Sequence, residues 1–326
     1  SGSAGTVSDP GGPTVSVAGV PAFDTDTRVV ITAPGDLGVG RFQFSLDNGR
    51  TFSAPDTIPA GGSYALPSGS TITFTSGSYV EADTYVITGN ECPSFNATGL
   101  ANAMAELDAT SANWRFAQVA TSRATGDSTA HALLAVQLQA DLDTMATNSK
   151  YRAGMIDAAM DDSEDVKSDF DTLSADRVNI QVGTAVINAP IPVAGRAFPQ
   201  VGGSTVHAGE AARQLISTDL KRVKNGSLPR VVSLGRDGRT DDGQALDDIM
   251  LSTLRTYEGR NGFFITQARI KSQPGSDFTT WPRRVIMDVA CELVHTKQEE
   301  FIGMGIRVVD GGLIDERDAL RLESMV

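Results

Sequence analysis

The hydrophobic pattern of the chain changes near Glu91-Cys92-Pro93. Before this point, short apolar stretches alternate with polar residues and are separated by Gly, Pro, Asn and Asp, which is typical of half-buried β-strands joined by turns. After it, short apolar runs alternate with longer segments of helical periodicity, and this order predicts a sheet with helices on its faces. With 326 residues, the chain is long enough for two or three cores of ordinary domain size.

Residues 14–92 are predicted to form a small β-sandwich-like outer module. Six short segments have strand character, and in the clearest hairpin Phe42 and Phe44 alternate with polar residues. The Asn48-Gly49 pair that follows supplies residues that tolerate positive φ, as a tight hairpin turn requires. Several short antiparallel strands must close over one core, so a sandwich or a small barrel is expected.

Residues 93–240 are predicted to form an α/β core domain with a mixed sheet and flanking helices, because strands and helices alternate. The Pro- and Gly-rich segment 188–210 is expected to be a mobile connection. In the helix that begins near Asp127 or Ser128, the predicted apolar side consists of Ala132, Leu133, Val136, Leu138, Leu142 and Met145. The other predicted elements are helix 97–108, strand 114–120, loop 121–127, strand 155–160, helix 163–173, strand 178–187, helix 207–218 and strand 230–234.

Residues 241–326 are predicted to form a C-terminal domain that mixes strands and helices. Pro282 falls in the first turn of its longest predicted helix, where a missing backbone N–H costs nothing. The predicted elements are a helical pattern through Leu246, Ile249, Met250 and Leu254, strand 263–270, helix 281–301, strand 306–309 and helix 314–325.

The composition disfavours several functional classes. The formal net charge of −13 argues against nucleic-acid binding and against contact with anionic membranes, since both require a basic surface. The sequence contains no apolar run long enough to predict a transmembrane helix. The N-terminus lacks the features of a signal peptide, and its Gly-, Ser- and Pro-rich residues 1–13 are expected to form a flexible segment. Because the chain opens on Ser1, its start is expected to be processed, tagged or incomplete.

No residue is predicted to be catalytic, cofactor-binding or metal-binding. His131, His207 and His295 have no neighbours at metal-site or triad spacing, so they are interpreted as structural. Cys92 and Cys291 lie far apart in sequence, which disfavours a disulfide framework and indicates a reducing compartment. They are interpreted as small core residues, since no basic partner that would lower a thiol pKa is evident.

Two loops carry weak site-like patterns. The loop Asp237–Gly243 superficially suggests a calcium site, but Arg239 takes the third ligand position and Asp248 stands where a bidentate Glu is needed. It is interpreted as a solvated turn. Gly202-Gly203-Ser204 is a weak phosphate-loop pattern, because no basic residue follows it directly. Neither loop predicts a cofactor.

Two stretches carry charge of opposite sign. Residues 157–176 contain eight acidic side chains against Lys167, and residues 219–239 contain six basic side chains against Asp219 and Asp237. Such runs are usually solvated faces. The alternative is that they form opposed patches that steer head-to-tail contacts between identical subunits, and a head-to-tail contact that does not close generates a helical filament.

An ordered set of motifs runs through the second half of the chain. It comprises Trp114-Arg115-Phe116 before an alanine-rich helix, Tyr151-Arg152, Gly262 to Thr266 with Arg269, Pro274 to Phe278, Arg283-Arg284-Val285, Asp288-Val289-Ala290, Arg307-Val308 and Gly312 to Ala319. Together these motifs resemble the tail sheath proteins of contractile phages and of related contractile injection systems. The resemblance extends over residues 246–326 and, less strongly, over residues 97–200.

This resemblance implies a structural subunit without a cofactor rather than an enzyme. It implies identical subunits stacked as six-fold rings around an inner tail tube protein, with baseplate and tail terminator proteins as further partners. In such systems terminal arms add strands to neighbouring sheets, and contraction drives the tube through the target envelope. The implied location is the tail of the virion, assembled in the host bacterial cytoplasm, with no nucleic-acid contact and no direct membrane insertion.

The chain departs from the sheath pattern in two places. It stops in a helical pattern at Val326, where the family commonly continues into further strands. The module at residues 14–92 lies outside the shared core and resembles surface decorations of phage structural proteins. That module leaves an alternative hypothesis open: a surface-exposed adhesion or receptor-recognition protein, in which the α/β part serves as an anchor.

Overall fold

The computed structural model of the chain describes residues 3–110, 112–121, 128–158, 163–235, 243–299, 307–309 and 312–323. Its strands are β1 (Ser3–Ser8), β2 (Val15–Ala18), β3 (Thr25–Ala33), β4 (Arg41–Ser45), β5 (Asp56–Thr57), β6 (Ser63–Ala65), β7 (Thr71–Phe74), β8 (Thr84–Glu91), β9 (Phe116–Val119), β10 (Ala153–Asp157), β11 (Val178–Gln181), β12 (Thr184–Ile187), β13 (Gln200–Gly202), β14 (Val231–Leu234), β15 (Leu254–Tyr257), β16 (Arg260–Ile265), β17 (Val308–Val309) and β18 (Leu313–Ile314). Its helices are α1 (Ala97–Ala109), α2 (Ser128–Thr147), α3 (Ser163–Phe170), α4 (Gly203–Arg213), α5 (Gly243–Asp248), α6 (Trp281–Glu299) and α7 (Glu316–Glu323).

The first eight strands form a β-sandwich. One antiparallel sheet has the order β1-β8-β3-β4-β5, and the other has the order β2-β7-β6. Aromatic rings fill the space between the sheets: Phe74 lies 4.9 Å from Phe42 and 5.7 Å from Tyr79, measured between ring centroids. Such tilted and edge-on pairs add to the stability that comes from burial alone. The predicted sandwich-like fold of this module is confirmed.

The expectation of a flexible segment over residues 1–13 is wrong for Ser3–Ser8. These residues form β1, which pairs antiparallel with β8 and places Ser8 opposite Val86. The Val7 side chain packs against the sandwich core. The ladder hydrogen bonds and this buried contact together outweigh the low strand propensity of the Gly- and Ser-rich sequence.

The predicted tight turn forms at Asn48-Gly49, where φ is +60° and +81°. The returning strand begins later than the sequence suggests, because β4 pairs with Asp56–Thr57 and not with the residues directly after the turn. The intervening loop is held by Asp47, whose carboxylate accepts the backbone N–H of Thr51 at 2.8 Å and its hydroxyl at 2.6 Å. Asp side chains commonly stabilise turns in this way.

The α/β core is built on three parallel strands in the order β11-β10-β9. Helix α2 approaches this sheet closely at Gly154, where a Cβ would lie 2.7 Å from the Leu138 side chain and 3.1 Å from that of Leu142. Helices α1 and α3 pack on α2. The predicted fold class, a β-sandwich followed by an α/β unit with flanking helices, is therefore confirmed.

The apolar side of α2 differs from the prediction at two positions. The side chains that are buried as predicted are Ala132, Leu138, Leu142 and Met145. Leu133 and Val136 are instead 60% and 51% exposed. A helix turns by about 100° per residue, so these two side chains lie on the opposite side of α2 from Leu138, away from the sheet.

The strand predicted over residues 178–187 is two strands. Gly183 separates them with a φ of +94°, a conformation that glycine adopts without strain. β11 stays in the parallel sheet, whereas β12 joins an antiparallel sheet of order β13-β12-β14. Because β13 leads directly into α4, this change of sheet brings the first turn of α4 against the ends of the parallel strands.

The elements of the C-terminal part are shifted from their predicted positions. Helix α5 ends at Asp248, and Leu254, predicted to be helical, opens β15. β16 ends at Ile265, so Ile270 lies in an irregular stretch, where its N–H donates to the Thr279 carbonyl at 3.1 Å. Helix α6 begins at Trp281 as predicted. The tertiary core dictates these boundaries, since Leu254, Ile270 and Trp281 all join one buried cluster.

The expectation that residues 188–210 are mobile is wrong. Residues 188–199, here called the arm, extend the β12–β13 hairpin, with Ala189 N–H donating to the Ala197 carbonyl at 2.9 Å. The remaining residues form β13 and most of α4. Pro and Gly shorten the strands of the arm without removing its cross-strand hydrogen bonds. The division of the chain into domains at residues 92 and 240 stays a prediction.

Candidate functional site

Three polar side chains meet at the carboxyl ends of the parallel strands. Gln118 lies in β9, Asp157 ends β10 and Gln181 ends β11. The first turn of α4 packs against these strands. In α/β proteins this edge of a parallel sheet is the usual place for a bound ligand. It is therefore the place in this fold where a chemical site is most expected.

Asp157 fills the position that an anionic ligand would take. Its carboxylate accepts the Ser204 N–H at 2.6 Å and the Ser204 hydroxyl at 2.8 Å, inside the first turn of α4. Gly202 is needed beside it, because a Cβ there would overlap the carboxylate. Burial raises the pKa of Asp157 to about 7, and the hydrogen bonds from Ser204 oppose this shift. The weak phosphate-loop pattern at residues 202–204 is thus a helix N-terminus that binds a carboxylate of the same chain.

His207 lies one turn along α4 from Ser204, and both are fully buried. Its Nδ1 contacts the side-chain amide of Gln181, and burial lowers the pKa of His207 to about 3, so the imidazole is neutral. The Ser204 hydroxyl donates to Asp157, and Gln118 donates to that hydroxyl at 2.9 Å. A serine activated by a histidine would need a bond between those two side chains. In this cluster the Ser204 hydroxyl is bonded instead to Asp157 and Gln118.

The other predicted structural residues lie apart from this cluster. His131 is buried in α2, whereas His295 is partly exposed on α6, where its Nε2 lies 3.2 Å from Glu299. Cys92 and Cys291 are free thiols, and burial raises the pKa of Cys92 to about 11. Most of the acidic loop 237–243 falls outside the described residues. Within the described parts of the chain, no three His, Cys, Asp or Glu side chains are grouped to hold a metal ion.

Helix α6 is anchored to the parallel sheet by a buried carboxylate. Asp288 Oδ1 accepts Nη1 of Arg177 at 2.9 Å and Nε of Arg284 at 3.1 Å, and Nη2 of Arg284 also contacts it. Arg177 Nη1 additionally donates to the Arg152 carbonyl at 3.2 Å. Three members of this network, Arg152, Arg284 and Asp288, belong to the motifs that resemble sheath proteins. Sequence reasoning assigned them no role, although an Asp on the apolar side of a helix signals a buried partner.

Several apolar side chains of the C-terminal part are exposed. On α6, Ile286, Met287 and Leu293 are exposed. In the β17–β18 hairpin, Val308 and Leu313 are 64% and 69% exposed. Large apolar side chains left exposed in number can mark interaction sites in soluble proteins. The C-terminal part of the chain is therefore the candidate assembly surface.

A local network gives the hairpin and α7 their shape. The Arg307 N–H donates to Asp318 Oδ2 at 2.9 Å, and the Arg307 guanidinium lies 3.3 Å from the same carboxylate. The Asp315 N–H donates to the Arg307 carbonyl at 2.8 Å. β17 and β18 pair only with each other among the described strands, so each presents an outer edge. Such edges are templates for strand addition.

Among known proteins, the matches to this chain are solved structures. No family model and no curated protein matches the sequence. The chain is similar in fold to chains in solved structures of the anti-feeding prophage (AFP). One match comes from the cryo-EM structure of the anti-feeding prophage (AFP) baseplate, 6-fold symmetrised, with 13% identity, a TM-score of 0.48 and coverage of 72% of this chain and 56% of that chain. Another comes from the AFP helical sheath in the contracted state, with 13% identity, a TM-score of 0.47 and coverage of 72% and 57%.

This chain spans a little over half the length of the solved chains that it matches. At this identity and TM-score the similarity concerns part of the fold, and the activity of those particles does not pass to this chain with it. Within the part of the chain that the structure describes, no helix combines the length and apolar character needed to cross a membrane.

The two charged stretches differ in how much of their charge reaches the surface. In the acidic stretch, Asp157 is buried and Asp169 accepts hydrogen bonds from Ser128 and Thr129. The described basic side chains are exposed on one segment around the short 3-10 turn, and they are Lys221, Arg222, Lys224 and Arg230. The basic stretch is therefore a surface feature, whereas part of the acidic stretch serves the fold.

Proposed function

We propose that this protein is a structural subunit of a contractile tail sheath. Its copies polymerise as stacked six-fold rings around an inner tube and rearrange to drive the tube through a target envelope. The C-terminal assembly surface carries the proposal: α6 exposes Ile286, Met287 and Leu293, and the short β17–β18 hairpin exposes apolar side chains and unpaired strand edges. Such a surface fits a protein that is completed by copies of itself.

The anchoring of α6 supports a mechanical role. A contact between subunits transmits force only if the element that makes it is fixed to its own domain. Asp288 provides this fixation, because two guanidinium groups on one buried carboxylate are costly to separate. Helix α6 is thus attached to the parallel sheet through a polar network, which resists sliding better than apolar packing alone.

The charge distribution supports head-to-tail contact between copies. The exposed basic segment around Lys224 faces solvent in a chain of net charge −13, so an identical subunit offers it acidic surface. Complementary patches on different faces of one subunit produce heterologous contacts, and these generate rings and filaments. Salt screens such contacts, so assembly should weaken as the ionic strength rises.

Imaging of the purified protein tests the proposal. We expect tubular or ring-shaped particles in electron micrographs at high protein concentration and low salt, and no turnover of any substrate. Monomers at every concentration and salt condition would contradict it. In that event, binding of the β-sandwich to cell surfaces or glycans would favour the alternative, a recognition protein with an α/β anchor. The tube, baseplate and terminator partners, and a location in the virion tail, belong to the same proposal.

A further inference from the structure

The arm, residues 188–199, reaches from the antiparallel sheet of the core to the β-sandwich. Its two sides are joined by hydrogen bonds from Ile187 N–H to the Pro199 carbonyl at 3.0 Å and from Ala189 N–H to the Ala197 carbonyl at 2.9 Å. At the tip the Arg196 N–H donates to the Val193 carbonyl at 2.9 Å, which closes the turn. The arm is therefore a β-hairpin with a defined end.

The tip of the arm bonds directly to the backbone of the sandwich. The Leu46 N–H, just after β4, donates to the Gly195 carbonyl at 2.6 Å. Gly195 has a φ of +68°, and a Cβ there would lie 2.8 Å from the Phe44 carbonyl oxygen. Two constraints therefore favour glycine at position 195: its positive φ and the closeness of the β4 backbone.

The side chains of one sandwich loop bind the next residues of the arm. The buried Asp47 carboxylate accepts the Phe198 N–H at 3.1 Å, and the Thr51 hydroxyl accepts the Ala197 N–H at 3.0 Å. The Thr51 hydroxyl also donates a hydrogen bond to the Asp47 carboxylate at 2.6 Å. Asp47 and Thr51 therefore shape the loop after β4 and also accept the hydrogen bonds from the arm. The loop and the arm stabilise one another through these shared groups.

A cation–π contact completes the docking. The Arg196 guanidinium lies 4.0 Å from the centroid of the Phe23 ring, on the segment that precedes β3. Phe23 packs against the sandwich core. The arm therefore contacts the sandwich at two separate places, the loop after β4 and the segment before β3, and a hairpin held at two places resists rotation.

The covalent connection between the two units is short. β8 ends at Glu91 and α1 begins at Ala97, and the Cys92 N–H in this connection donates to Asp24 at 2.8 Å. A short single connection would allow the sandwich to swing, which is the default for domains that share a small interface. The arm removes that freedom, because it is attached far from residue 92 in sequence.

We propose that the arm is a clasp that fixes the orientation of the β-sandwich on the α/β core, so that the two move as one rigid body. The surface formed by Phe23, Leu46, Asp47 and Thr51 is the recognition site, and its occupant is residues 195–198 of the same chain. This inference rests on the contacts of the arm and holds whether or not the protein is a sheath subunit. It makes the sandwich a rigid extension of the core and not a tethered decoration.

The Gly195→Ala variant tests the clasp, and Gly259→Ala is its matched control. Both glycines have positive φ, +68° and +73°, but nothing lies within 4 Å of a Cβ at Gly259. Hydrogen exchange in the full-length protein should show protected amides at Leu46, Ala197 and Phe198. In Gly195→Ala we expect exchange there to be faster by about tenfold or more, with β3 and β8 still protected and Gly259→Ala unchanged.

Spin labels at Val80→Cys and Thr147→Cys, in a background with Cys92 and Cys291 replaced by serine, measure the orientation itself. We expect one narrow distance distribution in the parent and a broad one in Gly195→Ala. Unprotected arm amides or a broad distribution in the parent would overturn the proposal, as would a distribution that stays narrow after the clasp is broken. If Gly195→Ala unfolds the sandwich, Ala197→Pro serves instead, because it removes the N–H that donates to Thr51 and places its backbone restriction in the arm rather than in the sandwich.

Discussion

The carboxylate of Asp157 lies inside the first turn of α4, where Ser204 donates both its backbone N–H, at 2.6 Å, and its hydroxyl, at 2.8 Å. The helix thereby receives the N-terminal anion that its dipole favours, although this anion comes from a neighbouring strand. His207, one turn further along the same helix, is buried without charge. Two titratable groups with opposite pKa shifts therefore share one buried cluster.

The pH dependence of stability follows from these two shifts. Asp157 has a pKa of about 7 in the fold against 3.8 in the unfolded chain, so the fold binds more protons and its stability falls as the pH rises between those values. His207 has a pKa of about 3 in the fold against 6.5 unfolded, so its contribution is lost as the pH falls through that window. Between about pH 4 and pH 6.5 the two slopes oppose each other and cancel.

Single substitutions should separate the pH dependence of stability due to Asp157 from that due to His207. Relative to the wild type, Asp157→Asn should gain stability with rising pH at about 1.4 kcal/mol per unit between pH 4 and pH 6.5, because only the His207 dependence remains. His207→Asn should show the opposite slope. Urea unfolding at several pH values measures both, and the double variant is the control that should be flat. Parallel curves for all four proteins would contradict the assigned shifts.

The anchor of α6 gives a prediction for stability. Replacing Asp288 by Ala leaves the Arg177 and Arg284 guanidinium groups buried without their carboxylate. Removing one partner of a buried ion pair costs about 3–5 kcal/mol of unfolding free energy. Asp143 also pairs with Arg177, at 3.4 Å, but its side chain is 56% exposed. Asp143→Ala should therefore cost less than about 1 kcal/mol in the same denaturant titration, and equal losses for the two variants would refute the anchoring role.

Replacing glycine by alanine should lower the stability at one position and raise it at another, depending on the space around the added methyl group. Gly154→Ala places a methyl group 2.7 Å from Leu138, and overpacking of this kind costs about 1–3 kcal/mol. Gly209 lies inside α4 with nothing within 4 Å of a Cβ, so Gly209→Ala should stabilise the protein by about 0.5–1 kcal/mol. Thermal unfolding of both variants checks the signs. A stabilising Gly154→Ala would mean that α2 does not pack on β10 at this residue.

The sequence predicts most elements of this fold because their local signals agree with their tertiary surroundings. Asn48-Gly49 forms its turn and Trp281 opens α6, since turn chemistry and helix periodicity are local properties. The predictions are wrong where a contact between residues far apart in sequence determines the local structure. A run of β-type residues over 178–187 cannot reveal that Gly183 sends its two halves into different sheets. Nor does the sequence around Ser3 reveal the β8 edge that makes it a strand.

The candidate sites were harder to predict than the fold for the same reason. Asp157 belongs to an acidic run in sequence, yet it is buried, because its partner Ser204 is 47 residues away. The composition of the arm suggests mobility, but its own cross-strand hydrogen bonds and the docking surface around Asp47 order it. On α2, Leu133 and Val136 show the converse case: apolar residues that are predicted to be buried, but that the helical turn places on the exposed side. Burial by distant residues is the information that a single sequence lacks.

The C-terminal hairpin gives the most direct test of assembly. Val308 and Leu313 are 64% and 69% exposed, so replacing both by Glu should change the unfolding free energy by less than about 0.5 kcal/mol each. If the hairpin contacts another subunit, the same charges must be desolvated on assembly, which is costly. We therefore expect folded monomers that no longer form particles in sedimentation or electron microscopy. Val80→Glu, a change at an exposed residue of the sandwich, is the control that should leave assembly intact. Particles formed equally by all three proteins would show that the subunits meet elsewhere.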